Sequence, residues 1–238
     1  MHPPVEIRDR SEYKERVNAL LALDPARTVV LTVDMQRNYL DMEIGADPLE
    51  PDEAERVLGH SRELLSFARA ESIPVIHAYV ARRSIEVERG FAARPLGAVA
   101  RQNNLSDSVR GIIPCMPDRL LGSPQAEIPA SLVDPSDLHV ATKKSLDSFL
   151  GTDLDVLLQR VLKPEAVVLA GINTDTCVYC TAFGVSNRGY KPIVIAECVA
   201  STRGKDHHWM ALELMSRSFA WVITVEQFKE KIRQGRRR

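Results

Sequence analysis

Histidine and cysteine, the residues that most often hold transition metals or form disulfide frameworks, are scarce in this chain. The six histidines (His2, His60, His77, His139, His207, His208) are scattered over 238 residues. None forms an HxH or HExxH pair, which disfavours a zinc enzyme. The four cysteines (Cys115, Cys177, Cys180, Cys198) are too few and too dispersed for a disulfide-held fold, and read as thiols. A charge excess is also lacking: 31 Lys and Arg stand against 32 Asp and Glu. Nothing therefore draws the chain to nucleic acid, and the terminal Arg236-Arg237-Arg238 reads as a solvated tail. No apolar run approaches the roughly 20 residues of a membrane-spanning helix. Met1 to Glu6 lacks the features of a secretory signal, so a cytoplasmic location is expected. Internal repeats and low-complexity blocks are absent.

What is present is the composition of a soluble globular protein, 45% hydrophobic and 26% charged. The length suits one large α/β domain over 1–238. Thr28 to Val33 is a β-branched run that stops at Asp34, and reads as a buried strand. Similar runs occur at Pro74–Val80, Leu138–Thr142, Ala166–Ala170, Pro192–Ala196 and Ala220–Thr224. Helical spacing separates them at Ala54–Ala70, Asp153–Leu162, Asp175–Arg188, Asp206–Ser218 and Val225–Gln234. This alternation predicts βαβ crossovers and a three-layer αβα, mostly parallel, doubly wound sheet. The stretch from about Arg83 to Pro135, rich in proline, breaks the rhythm. Such an excursion is expected to shape and cover a site, a surface insertion or oligomer contact being the equal alternative.

In an open parallel sheet the strands' carboxyl ends share one edge, where ligands bind. Asp34, Lys143 with Lys144, and the segment Gly171 to Cys177 all follow strands to that edge. With Thr174 or Asp175 as N-cap, Cys177 falls in a first helical turn, where the dipole and unpaired amides should lower its pKa. The same turn would aim N–H groups at an oxyanion. Taken singly, Cys177 is as well explained by packing, Asp34 as a turn residue and the lysine as a surface charge. Their shared edge is what argues for catalysis. Cys177-Val178-Tyr179-Cys180 also permits a CxxC redox reading, which predicts a disulfide but lacks an evident cis-proline partner strand.

These residues carry a resemblance to the isochorismatase-like cysteine hydrolase superfamily. Its signatures are Val33-Asp34-Met35-Gln36 followed by Asn38-Tyr39, then Thr142-Lys143 with Ser148-Phe149-Leu150-Gly151-Thr152-Asp153-Leu154 downstream, and Gly171-Ile172-Asn173-Thr174-Asp175-Thr176-Cys177-Val178. The likeness continues through Asn187-Arg188-Gly189-Tyr190, Glu197 to Ser201 and His208-Trp209, and is weakest across Arg83 to Pro135. It implies a triad of Asp34, Lys143 and Cys177, with a thioester intermediate. It also implies an oxyanion hole from the backbone N–H groups of Asn173 and Cys177, presented by a cis peptide at Ile172-Asn173. Nicotinamidase metal ligands are missing from His77 to Arg83, so no metal and no cofactor is expected. Isochorismatases proper lack the cysteine, which favours amide hydrolysis here. The implied substrate is a small linear amide, ureide or carbamoyl compound, with a carboxylate as an option. Tyr39 and the Asn173 side chain are candidate pocket groups, and Lys144, Arg83, Arg82 and Arg203 candidate cations for such a carboxylate. The resemblance further implies a homo-oligomer, dimer or tetramer. A CxxC redox protein or a catalytically silent binding protein is the alternative.

Overall fold

The computed structural model describes residues 6–91, 95–111 and 119–236; Cys115, Arg237 and Arg238 lie outside the described residues. Its centre is a six-stranded sheet in the order β3-β2-β1-β4-β5-β6. The strands are β1 (Thr28–Val33), β2 (Val75–Ala78), β3 (Leu138–Val140), β4 (Ala166–Ile172), β5 (Lys191–Ala200) and β6 (Trp221–Ile223). Every adjacent pair is parallel, so the sheet is parallel throughout rather than mostly so.

Alternation along the strands builds two cores. Val30, Val75, Val168 and Ile193 face one layer, where they meet α3 (Pro51–Ala70) and α9 (Val225–Gly235). Val29, Leu31, Val33, Val167, Leu169 and Val194 face the other. There they meet α6 (Leu154–Val156) with its continuation to Leu162, α7 (Tyr179–Asn187) and α8 (Lys205–Ser218). In α3 the buried positions Ala54, Val57, Ser61, Leu64, Leu65 and Ala68 form a stripe at helical spacing. Each fully buried Val or Leu of these layers contributes about 1.5–3 kcal/mol.

Two expectations need correction, and one helix was not expected. The runs at Pro74–Val80 and Leu138–Thr142 end early as strands, at Ala78 and Val140; beyond them Tyr79 N still donates to the Val140 carbonyl (3.1 Å) and an isolated antiparallel bridge joins Val80 to Thr142. Asp153–Leu162 is helical, but its latter part, Leu157–Leu162, is π-helical. Finally, α1 (Ser11–Leu20) buries none of its residues and so carries no apolar stripe for the sequence to reveal. Polar contacts hold it along the β6 edge: Asn18 Nδ2 donates to the Val222 carbonyl (3.0 Å) and Trp221 Nε1 to that of Val17 (3.3 Å). No helix among the described residues is long and apolar enough to cross a membrane.

The chain winds outward from β1 through β2 to β3, then returns to place β4 on the other side of β1. A crevice opens at such a reversal, at the carboxyl ends of β1 and β4. Gly171 makes the close fit there possible. It pairs with Val33 at φ +143°, and a Cβ on it would lie 2.1 Å from the Val33 carbonyl oxygen. Gly171→Ala is expected to cost at least ~2 kcal/mol, through a backbone clash that no rotamer relieves. A urea midpoint unchanged from wild type would contradict that.

Candidate active site

Asp34 follows β1 directly and adopts a left-handed backbone, φ 52°, a conformation rare for residues other than glycine but tolerated by Asp and Asn. Its amide donates to the Ala78 carbonyl at the end of β2 (2.9 Å), and its own carbonyl accepts from Gln36 N (2.8 Å). The sharp turn drives the carboxylate back into the crevice. Lys143 arrives from the end of β3, and Nζ sits 2.6 Å from Asp34 Oδ2 and 3.6 Å from Cys177 Sγ. Both charged side chains are fully buried. The other carboxylate oxygen, Asp34 Oδ1, is buried and accepts no hydrogen bond. Of the two adjacent lysines, it is Lys143 that reaches the carboxylate.

Two opposed forces set the charge states. Burial alone would depress the Lys143 pKa, but Asp34 and Cys177 outweigh it and raise the pKa above its ordinary value, so the ammonium is retained. Burial pushes the Cys177 thiol up to about 11, with Lys143 pulling against it and Asp34 adding to the rise. The direction is opposite to the lowering expected at a helix start: desolvation of the sulfur outweighs the neighbouring ammonium. Cys177 rests as a thiol beside an acceptor.

The turn that carries Cys177 also differs from the simple helix start expected. Thr174–Val178 is a π-helical turn whose N-cap is Asn173, with no side-chain cap from Thr174 or Asp175. Those two side chains brace the turn instead. Thr174 Oγ1 bonds His208 Nδ1 of α8 at 2.9 Å, and Asp175 accepts from Ser201 Oγ (2.7 Å) and Arg203 (2.9 Å). Burial pushes the His208 pKa down to about 4, which leaves the imidazole neutral at physiological pH. Asn173 Oδ1 accepts from Thr202 N at 2.8 Å, so its side-chain oxygen ties the turn to the segment after β5. The Ile172-Asn173 peptide is cis, as the resemblance implied.

Part of the insertion returns beside the Asp34 turn, at Ala126. Gln36 is fully buried. Its Nε2 donates to the carbonyls of Val80 and Ala126, both at 2.8 Å. Tyr39, on α2 (Arg37–Leu40), is buried among core residues, and the Asp34 charge acts on its hydroxyl. The four candidate cations go elsewhere. Lys144 donates to the Ala81 carbonyl and pairs with Glu86 at 2.8 Å; Arg83, mostly exposed, shares that carboxylate at 3.6 Å. Arg82 is buried and donates to the Phe91 carbonyl, while Arg203 binds Asp107 and Asp175. The cation that does approach is Arg119, which the sequence did not single out. It donates to the Tyr39 hydroxyl and lies over the Tyr39 ring, 5.5 Å from its centre.

Cys177, Cys180 and Cys198 are free thiols, so the disulfide required by the CxxC redox reading is not formed. Cys180 is half-buried near Asp147, and Cys198 is buried with its pKa pushed up to about 12. Among the described residues no three His, Cys, Asp or Glu side chains come together to hold a metal ion. His77 is occupied by Thr32 Oγ1 (2.6 Å) and Asp137 (3.0 Å).

Known proteins resemble this chain in sequence and in fold. Residues 28–227 match the isochorismatase domain. The chain is 24% identical over 207 residues to the phenazine biosynthesis protein PhzD of Pseudomonas fluorescens, covering 86% of each. To the ureidoacrylate amidohydrolase RutB of Methylobacterium radiotolerans it is 28% identical over 217 residues, covering 89% of this chain and 82% of the relative. Among solved structures, a cysteine hydrolase from Pseudomonas syringae pv. phaseolicola shares the fold with a TM-score of 0.73 at 22% identity, covering 90% of this chain and 96% of that one.

Proposed function

Because the chain belongs to the isochorismatase domain family, a family of hydrolases that includes amidohydrolases, we propose that it is a cysteine amidohydrolase acting on a small linear amide, ureide or carbamoyl compound. The observation that carries this reading is the buried contact of Asp34, Lys143 and Cys177, with one carboxylate oxygen left without a partner.

In the first step Asp34 Oδ1 takes the thiol proton as the sulfur attacks the substrate carbonyl. Because the thiol, pushed up to about 11, rests protonated, its proton has to leave for the sulfur to attack. Lys143 keeps its proton and holds Asp34, offsetting the carboxylate's charge. Negative charge then moves to the carbonyl oxygen, where the N–H groups of Asn173 and Cys177 receive it; each such donor is worth about 10²–10³ in rate. Collapse breaks the C–N bond, and the proton on Asp34 leaves with ammonia or an amine. The thioester that remains is attacked by water, whose proton Asp34 accepts, and the acid and the thiol are released.

The presence of a nucleophilic cysteine argues against vinyl-ether cleavage of the isochorismatase type. A panel of ureides and monoamides should release ammonia with the wild-type enzyme. Acid quenching during turnover should leave the acyl mass on the peptide that contains Cys177. Absence of both, or an adduct on Cys180 instead, would overturn the mechanism.

A further inference from the structure

Three consecutive residues after β5, namely Ser201, Thr202 and Arg203, grip the Cys177 turn from outside, and all three are buried. Thr202 N donates to Asn173 Oδ1 (2.8 Å), Ser201 Oγ to Asp175 Oδ1 (2.7 Å) and Arg203 Nη1 to Asp175 Oδ2 (2.9 Å). These bonds fall on both sides of Thr174. Inside the turn the Asn173 carbonyl accepts from Thr176 N (3.2 Å) and Val178 N (3.0 Å), the amides that flank Cys177. Whatever holds Asn173 and Asp175 therefore also aims the amides of Asn173 and Cys177.

Arg203 joins this grip to the insertion. Its Nε donates to Asp107 Oδ2 at 2.6 Å, and beside it the Thr202 carbonyl accepts from Val109 N (2.9 Å) while Thr202 Oγ1 donates to Asp47 (3.1 Å). Burial alone would lower the Arg203 pKa, but Asp175 and Asp107 outweigh it, so the guanidinium stays charged. Ion pairs taken out of water add little net stability, whereas a planar fork between two carboxylates fixes their directions. The charges that chiefly act on the Cys177 sulfur belong to Lys143, Asp34 and Arg119, so Arg203 bears on the reaction through the turn and not through its field. We propose that Arg203 is a positioning residue for the hydrolysis: by bridging Asp175 and Asp107 it holds the Asn173 and Cys177 amides where they receive the oxyanion, and makes residues 105–111 of the insertion part of that brace. This rests on the amidohydrolase reading, from which it takes only the oxyanion.

Two probes of Cys177 separate positioning from a general loosening. Iodoacetamide reacts through a saturated carbon and needs no oxyanion donor. Propionaldehyde adds as a thiohemiacetal: the sulfur bonds the carbonyl carbon and the thiol proton ends on the oxygen, which the turn amides must receive. Its affinity is read as protection of the Cys177 peptide from iodoacetamide. Arg203→Met should leave alkylation at pH 9 within about twofold of wild type, yet weaken propionaldehyde binding ~10-fold and lower kcat for an amide ~10–100-fold with KM within about threefold. Arg203→Lys should recover part of the loss, and Asp175→Asn, which carries the same comparison if Arg203→Met does not fold, should match Arg203→Met without adding to it in the double variant. Unchanged aldehyde affinity in Arg203→Met, alkylation that changes in parallel with it, additive losses, or a wild-type Cys177 that propionaldehyde does not protect overturns the proposal. Lack of ammonia release from every amide by wild type sinks the amidohydrolase alone, because the aldehyde comparison does not depend on turnover. Equal amide turnover and equal aldehyde affinity in wild type and Arg203→Met sink the brace alone.

Discussion

Replacing Cys177 by serine should lower amide turnover by at least ~10³-fold, whereas Cys180→Ser should leave it within about twofold of wild type. The magnitude follows from the acceptor, since a hydroxyl is a far weaker acid than a thiol and Asp34 must take its proton directly. Covalent labelling gives a second reading of the same sulfur. With its pKa pushed up to about 11, Cys177 is almost wholly protonated at pH 7, so iodoacetamide should react slowly there. The rate should rise about tenfold per pH unit toward pH 11, where the thiolate becomes the main form. Fast labelling at pH 6 would show a preformed thiolate and refute the account of a thiol that rests protonated. Loss of turnover in Cys180→Ser with retention in Cys177→Ser would refute the assignment of the nucleophile itself.

The buried ion pair predicts an equally large effect, on stability as well as on rate. Lys143→Met leaves the Asp34 carboxylate enclosed without its cation, and Asp34→Asn does the converse to the ammonium. Each should cost about 3–5 kcal/mol in urea unfolding, because removing one partner strands a charge away from water. Asparagine accepts the left-handed backbone at position 34, so the second variant isolates charge from backbone strain. The double variant Asp34→Asn/Lys143→Met should recover much of the loss while remaining inactive by at least ~10³-fold. Additive costs in the double variant would mean that the two side chains are not coupled. The pair also has a pH signature. The Lys143 pKa is raised in the folded protein above 10.5. Its contribution to stability is therefore fully present below that unfolded value, and is lost as the pH climbs through the higher folded one. Wild-type protein should lose this part of its stability only in alkali, and Asp34→Asn/Lys143→Met should lack that loss.

How much of this was legible beforehand varied with the kind of interaction. The interior strands β1, β4 and β5 announced themselves because both of their faces are buried, which demands unbroken apolar runs. Asp34, Lys143 and Cys177 were legible because parallel strands carry whatever follows them to one edge. α1 gave no such signal, since its attachment to β6 is polar. The Cys177 pKa was misjudged because a helix start is visible in sequence while the depth of the sulfur is not. Arg119 was missed for a related reason. It sits in a proline-rich segment without periodicity, and only the fold brings it onto Tyr39, eighty positions away. The basic residues that did attract notice, Lys144, Arg83, Arg82 and Arg203, are held by Glu86, a backbone carbonyl and a pair of aspartates.

Gln36 gives the architecture a property that concerns change over generations. Its amide ties the exit of β2 at Val80 to the returning arm at Ala126 from a position two residues past Asp34. Whatever length or composition the chain takes between those two anchors, it departs and re-enters at fixed points. The turn that carries Asp34 is thereby fixed independently of how the intervening segment is built. A lineage can rewrite that interval, one substitution or insertion at a time, while Asp34, Lys143 and Cys177 stay in place.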